Sequence, residues 1–227
     1  MIFPFTEAIY YPESDGRPMG ESDEHRDAMV RIIELLKNHF EGQQVYVSGD
    51  LLLYYEQGNP KKFVVPDAFI AKGLKQKRRR IYRLWVEGVV PQLVIETTSR
   101  KTKKKDTVDK PELYAKLGIH EYFLHDPTGD YLDPPLQGYR LTESKYERIV
   151  ADAHGSLYSE ELKLDLRIED SELNLYHPET HQRLLSNQEK VVVESNARQM
   201  EAEARLQAEA EVAKLRAELA RYQRGQD

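Results

Sequence analysis

Two apolar runs in this chain each carry one carboxylate at a position where a buried strand would prefer an apolar side chain. The runs are Phe63-Val64-Val65-Pro66-Asp67-Ala68-Phe69-Ile70 and Pro91-Gln92-Leu93-Val94-Ile95-Glu96-Thr97-Thr98. Their β-branched and aromatic content predicts buried strands. A carboxylate buried without compensation is costly, so Asp67 and Glu96 each require a cationic partner or a metal. If the two strands are neighbours, the pair becomes a divalent-metal site, and the fold must be one that makes them so.

The surrounding pattern is that of a mixed α/β domain. Turn-forming Pro12, Gly16, Pro18 and Gly20 predict an extended lead-in over residues 1–20. Met29, Ile32, Ile33, Leu36 and Phe40 recur at helical spacing behind a cap at Ser22 or Asp23, so Ser22 to Phe40 is expected to be an amphipathic helix. Strands are expected over Val45–Ser48, Leu51–Tyr55, Phe63–Ala71 and Gln92–Thr98. A helix then starts near Asp106 to Asp109, with Pro111 in its first turn and Gly118 as its stop. His120–His125 is the next strand, and shorter ones follow around Tyr139–Leu141, Tyr146–Ala151, Leu162–Ile168 and Leu173–Tyr176. Tyr122, Phe123 and Trp85 fit as core aromatics. This order predicts one α/β domain over 1–185 and a charged helical extension over 186–227.

The extension is rich in Ala, Glu, Arg, Gln and Leu over residues 197–224, without Gly or Pro before Gly225. Ala208, Val212, Leu215, Leu219 and Tyr222 repeat at 4-3-4-3 spacing, a short coiled-coil-like seam interrupted upstream by Arg205 and Glu201. It is either a weak homo-oligomerisation helix or a solvated one.

Charge narrows the chemistry. The net charge of −6 conceals a balance of +10 between Lys61 and Lys110, where 15 Lys/Arg face 5 Asp/Glu, against −16 elsewhere. Basic flanks around an acidic centre suit a phosphodiester-cleaving site, with Lys77, Arg78, Arg79, Arg80, Lys101, Lys103, Lys104 and Lys105 as phosphate contacts. The plain alternative is a solvated basic loop. With no cysteine there is no disulfide framework and no thiolate metal site. The N-terminal residues lack a signal-peptide pattern and no apolar run approaches membrane-spanning length, so a soluble cytoplasmic protein with no membrane partner is expected. No phosphate-binding glycine loop, HExxH helix or nucleophile elbow is present.

Metal-assisted hydrolysis of a phosphodiester needs hard oxygen ligands and a cation against the charge that builds on phosphorus. Asp67 and Glu96 supply carboxylates and Thr97 a carbonyl, an oxygen set that favours Mg²⁺ or Mn²⁺.

Pro66-Asp67 followed by Glu96-Thr97-Thr98 resembles the PD-(D/E)XK nuclease motif. The run Leu93 to Ser99, then Asp106, Lys110 and Tyr114, then Gly118-Ile119-His120-Glu121-Tyr122-Phe123-Leu124-His125-Asp126-Pro127, resembles the Uma-two restriction endonuclease family. The resemblance covers roughly residues 18 to 175. It implies a restriction-endonuclease-like central mixed β-sheet flanked by helices, and endonuclease activity on nucleic acid, with DNA as the expected substrate. Position 98, where the superfamily motif has lysine, holds Thr98. The resemblance moves that role to Lys110, with an ordinary ion pair to Asp106 or Asp109 as the alternative. Asp106, Lys110 and Tyr114 share a face if their segment is helical. His25 matches the family's first-helix histidine, as an accessory to the site or as a structural helix-start residue; Glu21 or Glu24 could add a further acid. A catalytically inactive nucleic-acid-binding module on the same fold is the rival function, and an oligomerising scaffold a third.

Overall fold

Pro66 divides the first of the two apolar runs. Proline cannot donate to a strand ladder, and in the computed structural model, which describes residues 9–16 and 22–224, the run breaks there. In chain order the strands are β1 (Val45–Ser48), β2 (Leu53–Tyr54), β3 (Phe63–Val64), β4 (Ala68–Lys72), β5 (Tyr82–Arg83), β6 (Leu93–Thr97), β7 (Glu121–His125), β8 (Leu136–Thr142), β9 (Lys145–Arg148), β10 (Leu157–Ser159), β11 (Leu164–Glu169) and β12 (Glu172–Tyr176). The helices are α1 (Asp23–His39), α2 (Leu84–Glu87), α3 (Lys110–Leu117) and α4 (Asn187–Arg224). Because β3 and β4 belong to different sheets, Asp67 stands in the gap before β4 rather than inside one long strand.

The central sheet runs β1-β4-β6-β7-β8-β9 and is mixed: β6 and β7 are parallel, and the other neighbours antiparallel. A parallel pair needs a crossover, and the segment containing α3 provides it. Side chains alternate between the two faces. Val47, Ile70, Leu93, Ile95 and Phe123 pack on one face with Ile32, Leu35 and Leu36 of α1. Tyr46, Phe69, Val94, Tyr122 and Leu124 pack on the other with Tyr114 of α3 and with Ile119. Glu96, two residues after Val94, therefore falls on the α3 side.

Local chemistry sets the helix ends. The Ser22 hydroxyl accepts the His25 N–H at 3.3 Å and starts α1, while Gly118 stops α3 in the left-handed conformation at φ 79°. A second sheet, β10-β11-β12, adds Leu164, Leu166, Leu173 and Leu175 to the core shared with α1. Buried Glu121 holds its turn, accepting the Glu160 and Glu161 N–H groups and the Arg140 guanidinium. In the third sheet, β3-β2-β5, β2 and β3 lie within the runs expected as strands, whereas β5 and the short helix α2 lie in a stretch that carries no strong periodic signal. Trp85, expected in the core, is half-buried in α2 with its ring 5.2 Å from that of Tyr11. Its neighbours in α2 have no buried side chain either, because a single helical turn offers too little face to cover.

The chain divides into two units, Met1–Leu184 and Leu185–Asp227. The second is α4, which begins earlier than its composition suggests. Ser186 and Glu189 form a reciprocal capping box: the Glu189 N–H donates to the Ser186 hydroxyl and the Ser186 N–H to the Glu189 carboxylate. Along this helix Val212, Leu215 and Leu219 of the seam are exposed; the side chain of Tyr222 lies outside the described residues.

Candidate active site

Asp67 and Glu96 meet at one end of the central sheet, where antiparallel β4 begins and β6 finishes. The Asp67 N–H donates to Glu96 Oε2 at 3.2 Å, and Asp67 Oδ2 accepts the Thr97 N–H at 2.7 Å. Gly49 makes this approach possible. A Cβ on Gly49 would lie 1.8 Å from the Asp67 carbonyl oxygen, so the backbones touch where any side chain would collide. The adjoining Asp50 N–H holds the Pro66 carbonyl at 2.9 Å.

Helices from both faces of the sheet reach this end. From α1, His25 Nε2 lies 3.5 Å from Asp67 Oδ2, with the imidazole 2% exposed. From the other side, Lys110 Nζ contacts Glu96 Oε2 at 2.8 Å and Asp106 Oδ1 at 2.9 Å, and the Tyr114 hydroxyl donates to Glu96 Oε1 at 2.6 Å. The segment before α3 is a π turn over Lys105–Asp109, in which the Lys110 N–H reaches the Lys105 carbonyl. In that register the Asp106 carbonyl looks to residue 111 for a donor, and Pro111 has none. The Tyr122 hydroxyl fills the place, donating to it at 2.6 Å.

Three carboxylates thus share one lysine in a buried pocket; Glu96 and Asp106 have no measurable exposure. Burial pushes Glu96 up to about 8, with the charges of Asp67 and Asp106 adding to the rise and Lys110 opposing it. Burial likewise raises Asp106, again against Lys110. Asp67 differs: burial raises it, but the contact with His25, the Lys110 charge and the Thr97 N–H together take it below the ordinary range. Burial alone would lower Lys110; the three carboxylates instead hold it well above the usual lysine range, so it stays charged.

With all three acids ionised against Lys110, the group carries two negative charges, the deficit that one divalent cation would fill. The donors are hard oxygens, and among the described residues the Asp67 contacts fall on Oδ2, leaving Oδ1 for a cation. The Thr97 N–H points at Asp67, and in extended backbone the carbonyl of the same residue points the same way. The donor set therefore fits Mg²⁺ or Mn²⁺. Among the described residues no group of three or more His, Cys, Asp or Glu side chains is placed to hold a metal ion, so the ligand set is two carboxylates and a backbone carbonyl.

The remaining sequence-derived residues separate. Lys101, Lys103, Lys104 and Lys105 are exposed just beyond β6. Lys77, Arg78 and Arg80 are exposed, but Arg79 is turned inward. Its side chain is 4% exposed, it pairs with both Glu87 oxygens at 2.9 Å, and its guanidinium lies 3.9 Å over the Tyr46 ring. That placement turns it away from the phosphate contacts, because its side chain faces inward and three of its five N–H donors are taken by Glu87 and the Lys75 carbonyl. Glu24 is exposed, and Glu21 lies outside the described residues. Gly49 and the buried state of Asp106 were not anticipated. A glycine directly after a strand is the one signal that marked the first; nothing local marks the second.

The order of the central sheet, the helices on both faces and a PD…ExT…K constellation at one sheet end define a restriction-endonuclease-like protein. The chain belongs to the Uma2 family, described as "Putative restriction endonuclease", whose model matches residues 7–175. A crystal structure titled as a "putative nuclease belonging to DUF820" from Anabaena variabilis shares the fold, with a TM-score of 0.50 at 15% identity over 68% of this chain and 82% of that one. No curated protein matches the sequence.

Proposed function

We propose that this chain is a divalent-metal-dependent endonuclease hydrolysing phosphodiester bonds of DNA. The observation that carries this is the 2.8 Å contact of Lys110 Nζ with Glu96 Oε2 next to Asp67, which puts a cation where Thr98 leaves none. Asp67, Glu96 and the Thr97 carbonyl would hold Mg²⁺ or Mn²⁺. When bound, the metal would supply a water more acidic than bulk water and an opposing charge for the phosphate.

The protein's own groups do the positioning. The Thr97 N–H and His25 orient Asp67, and the Tyr114 hydroxyl orients Glu96. Lys110, held charged, stabilises the negative charge developing on phosphorus. Lys77, Arg78, Arg80, Lys101, Lys103, Lys104 and Lys105 supply phosphate contacts, a sequence-independent attraction that weakens with salt. The catalytic part is assigned to residues 1–185. The seam of α4 is assigned to self-association, which light scattering of the full chain against a chain ending at residue 185 tests.

Supercoiled plasmid incubated with the protein and Mg²⁺ or Mn²⁺ is expected to be nicked or linearised, and Asp67→Ala and Glu96→Ala are expected to abolish this. Binding without cleavage would instead favour the inactive binding module, and cleavage untouched by both substitutions would overturn the catalytic assignment of Asp67 and Glu96.

A further inference from the structure

Part of the basic sequence assigned above to phosphate contact also lines a cavity. Residues 77–83 face the described part of the N-terminal segment across a cavity of about 500 Å³, within the range of small-ligand sites. Tyr10, Tyr11, Lys77, Arg78, Arg80 and Arg83 line it. Tyr11 is an anchor: its hydroxyl accepts the Gly58 N–H at 2.7 Å, and its ring packs on Tyr54 at 5.0 Å and Trp85 at 5.2 Å. The next carbonyl, that of Pro12, accepts the Tyr54 hydroxyl at 2.6 Å. Tyr10, next to this anchor and on the cavity wall, is 75% exposed.

Basic side chains outnumber acidic ones around the cavity, five Lys/Arg against Glu13 and Glu87. Arg80 pairs with Glu13 at 3.1 Å in an exposed contact of little strength. Lys77 and Arg78 are exposed and the Arg83 guanidinium lies 5.9 Å from the Tyr11 ring centre, while Glu87 on the cavity wall is held low mainly by Arg79 and, after it, by Lys77 and Arg83. An open aromatic face beside a surplus of cations is complementary to a base followed by its phosphates. Only an unpaired base can offer its face, since in a duplex both faces are covered by neighbouring pairs. The small sheet links this segment to the candidate site along the backbone: β5 pairs with β2, β2 with β3, and the chain leaving β3 leads through Pro66 to Asp67.

We infer that this groove binds single-stranded nucleic acid, stacking a base on Tyr10 and holding phosphates on Lys77, Arg78 and Arg83. The inference rests on the nuclease reading for its choice of a nucleic-acid ligand, and its test is independent of cleavage. Fluorescence anisotropy with a labelled oligothymidine of about 12 nucleotides, in EDTA, measures binding alone. Tyr10→Ala is expected to weaken binding about tenfold, the scale of one lost base stack, while Tyr10→Phe stays within about twofold of the unsubstituted chain. An unlabelled duplex of equal length should compete poorly. Wild-type affinity in Tyr10→Ala, or a duplex that competes as well as the single strand, would overturn the inference. The Asp67→Ala chain separates the two readings: it should bind the oligonucleotide normally and fail to cut plasmid. If it still cuts, the catalytic assignment falls while the groove stands or falls on Tyr10.

Discussion

Replacing Gly49 by alanine tests the backbone contact on which the site is built. The new Cβ would start 1.8 Å from the Asp67 carbonyl oxygen and 2.6 Å from Ile33 Cδ1. The isoleucine methyl can rotate away, but the carbonyl is held from both sides. Asp50 N–H fixes the preceding Pro66 carbonyl, the Asp67 N–H is committed to Glu96, and Ala68 is already in register with Ile95. Reaching an ordinary contact near 3.4 Å requires a shift of about 1.6 Å, shared between residue 49 and the Pro66-Asp67 segment. Overpacking of this kind costs about 2 kcal/mol, or roughly 4–8 °C in melting temperature for a domain of this size. A displacement of about 1 Å in a catalytic group costs on the order of a hundredfold in rate. Thermal melting followed by circular dichroism, together with plasmid nicking under Mn²⁺, reads both quantities. A Gly49→Ala chain that melts within about 1 °C of the parent and cleaves at its rate would show that the approach of residue 49 to Asp67 is not tight.

Three further outcomes follow from the charge arrangement. Glu96 is raised to about 8 and Asp106 is raised as well, so between the unfolded carboxylate range and pH 8 the folded chain holds more protons than the unfolded one. Stability without metal should therefore fall as pH rises through that window, Mn²⁺ should offset the fall, and Glu96→Gln should flatten it in melting curves recorded from pH 5 to 8. Lys110→Met should lower cleavage by about a hundredfold or more, and by leaving buried carboxylates uncompensated it should cost about 3–5 kcal/mol measured by urea unfolding. Because position 98 follows Glu96 by two on the same strand face, adding Thr98→Lys to Lys110→Met should restore part of the cleavage in the plasmid assay; no recovery would count against a lysine acting at this point. Tyr114→Phe keeps the buried ring and loses only the 2.6 Å bond to Glu96, so a loss of about 1.5–3 kcal/mol is expected in the same unfolding experiment.

The local parts of this protein were legible in its sequence because they depend on periodicity and backbone preference. The spacing of Ile32 and Leu36 gives the buried face of α1, and the i, i+4, i+8 placement of Asp106, Lys110 and Tyr114 gives one face across the crossover. Gly118 marks its stop, and two apolar runs with a misplaced carboxylate mark where a charge has to be compensated. The resemblance to a nuclease family could be drawn from the same residues. What compensates the charge was decided only in three dimensions. Thr97 and Asp67 are 30 residues apart and meet because β4 and β6 are sheet neighbours, with Gly49 admitting a third backbone. Lys110 comes from a helix on the α3 face to serve a position that the strand itself leaves to threonine. Asp106 became a buried third acid, and Arg79 left an apparently uniform basic run to pair with Glu87. Sequence fixes which way a side chain points along its own element; burial and charge pairing between elements follow from sheet order and register, which no single segment contains.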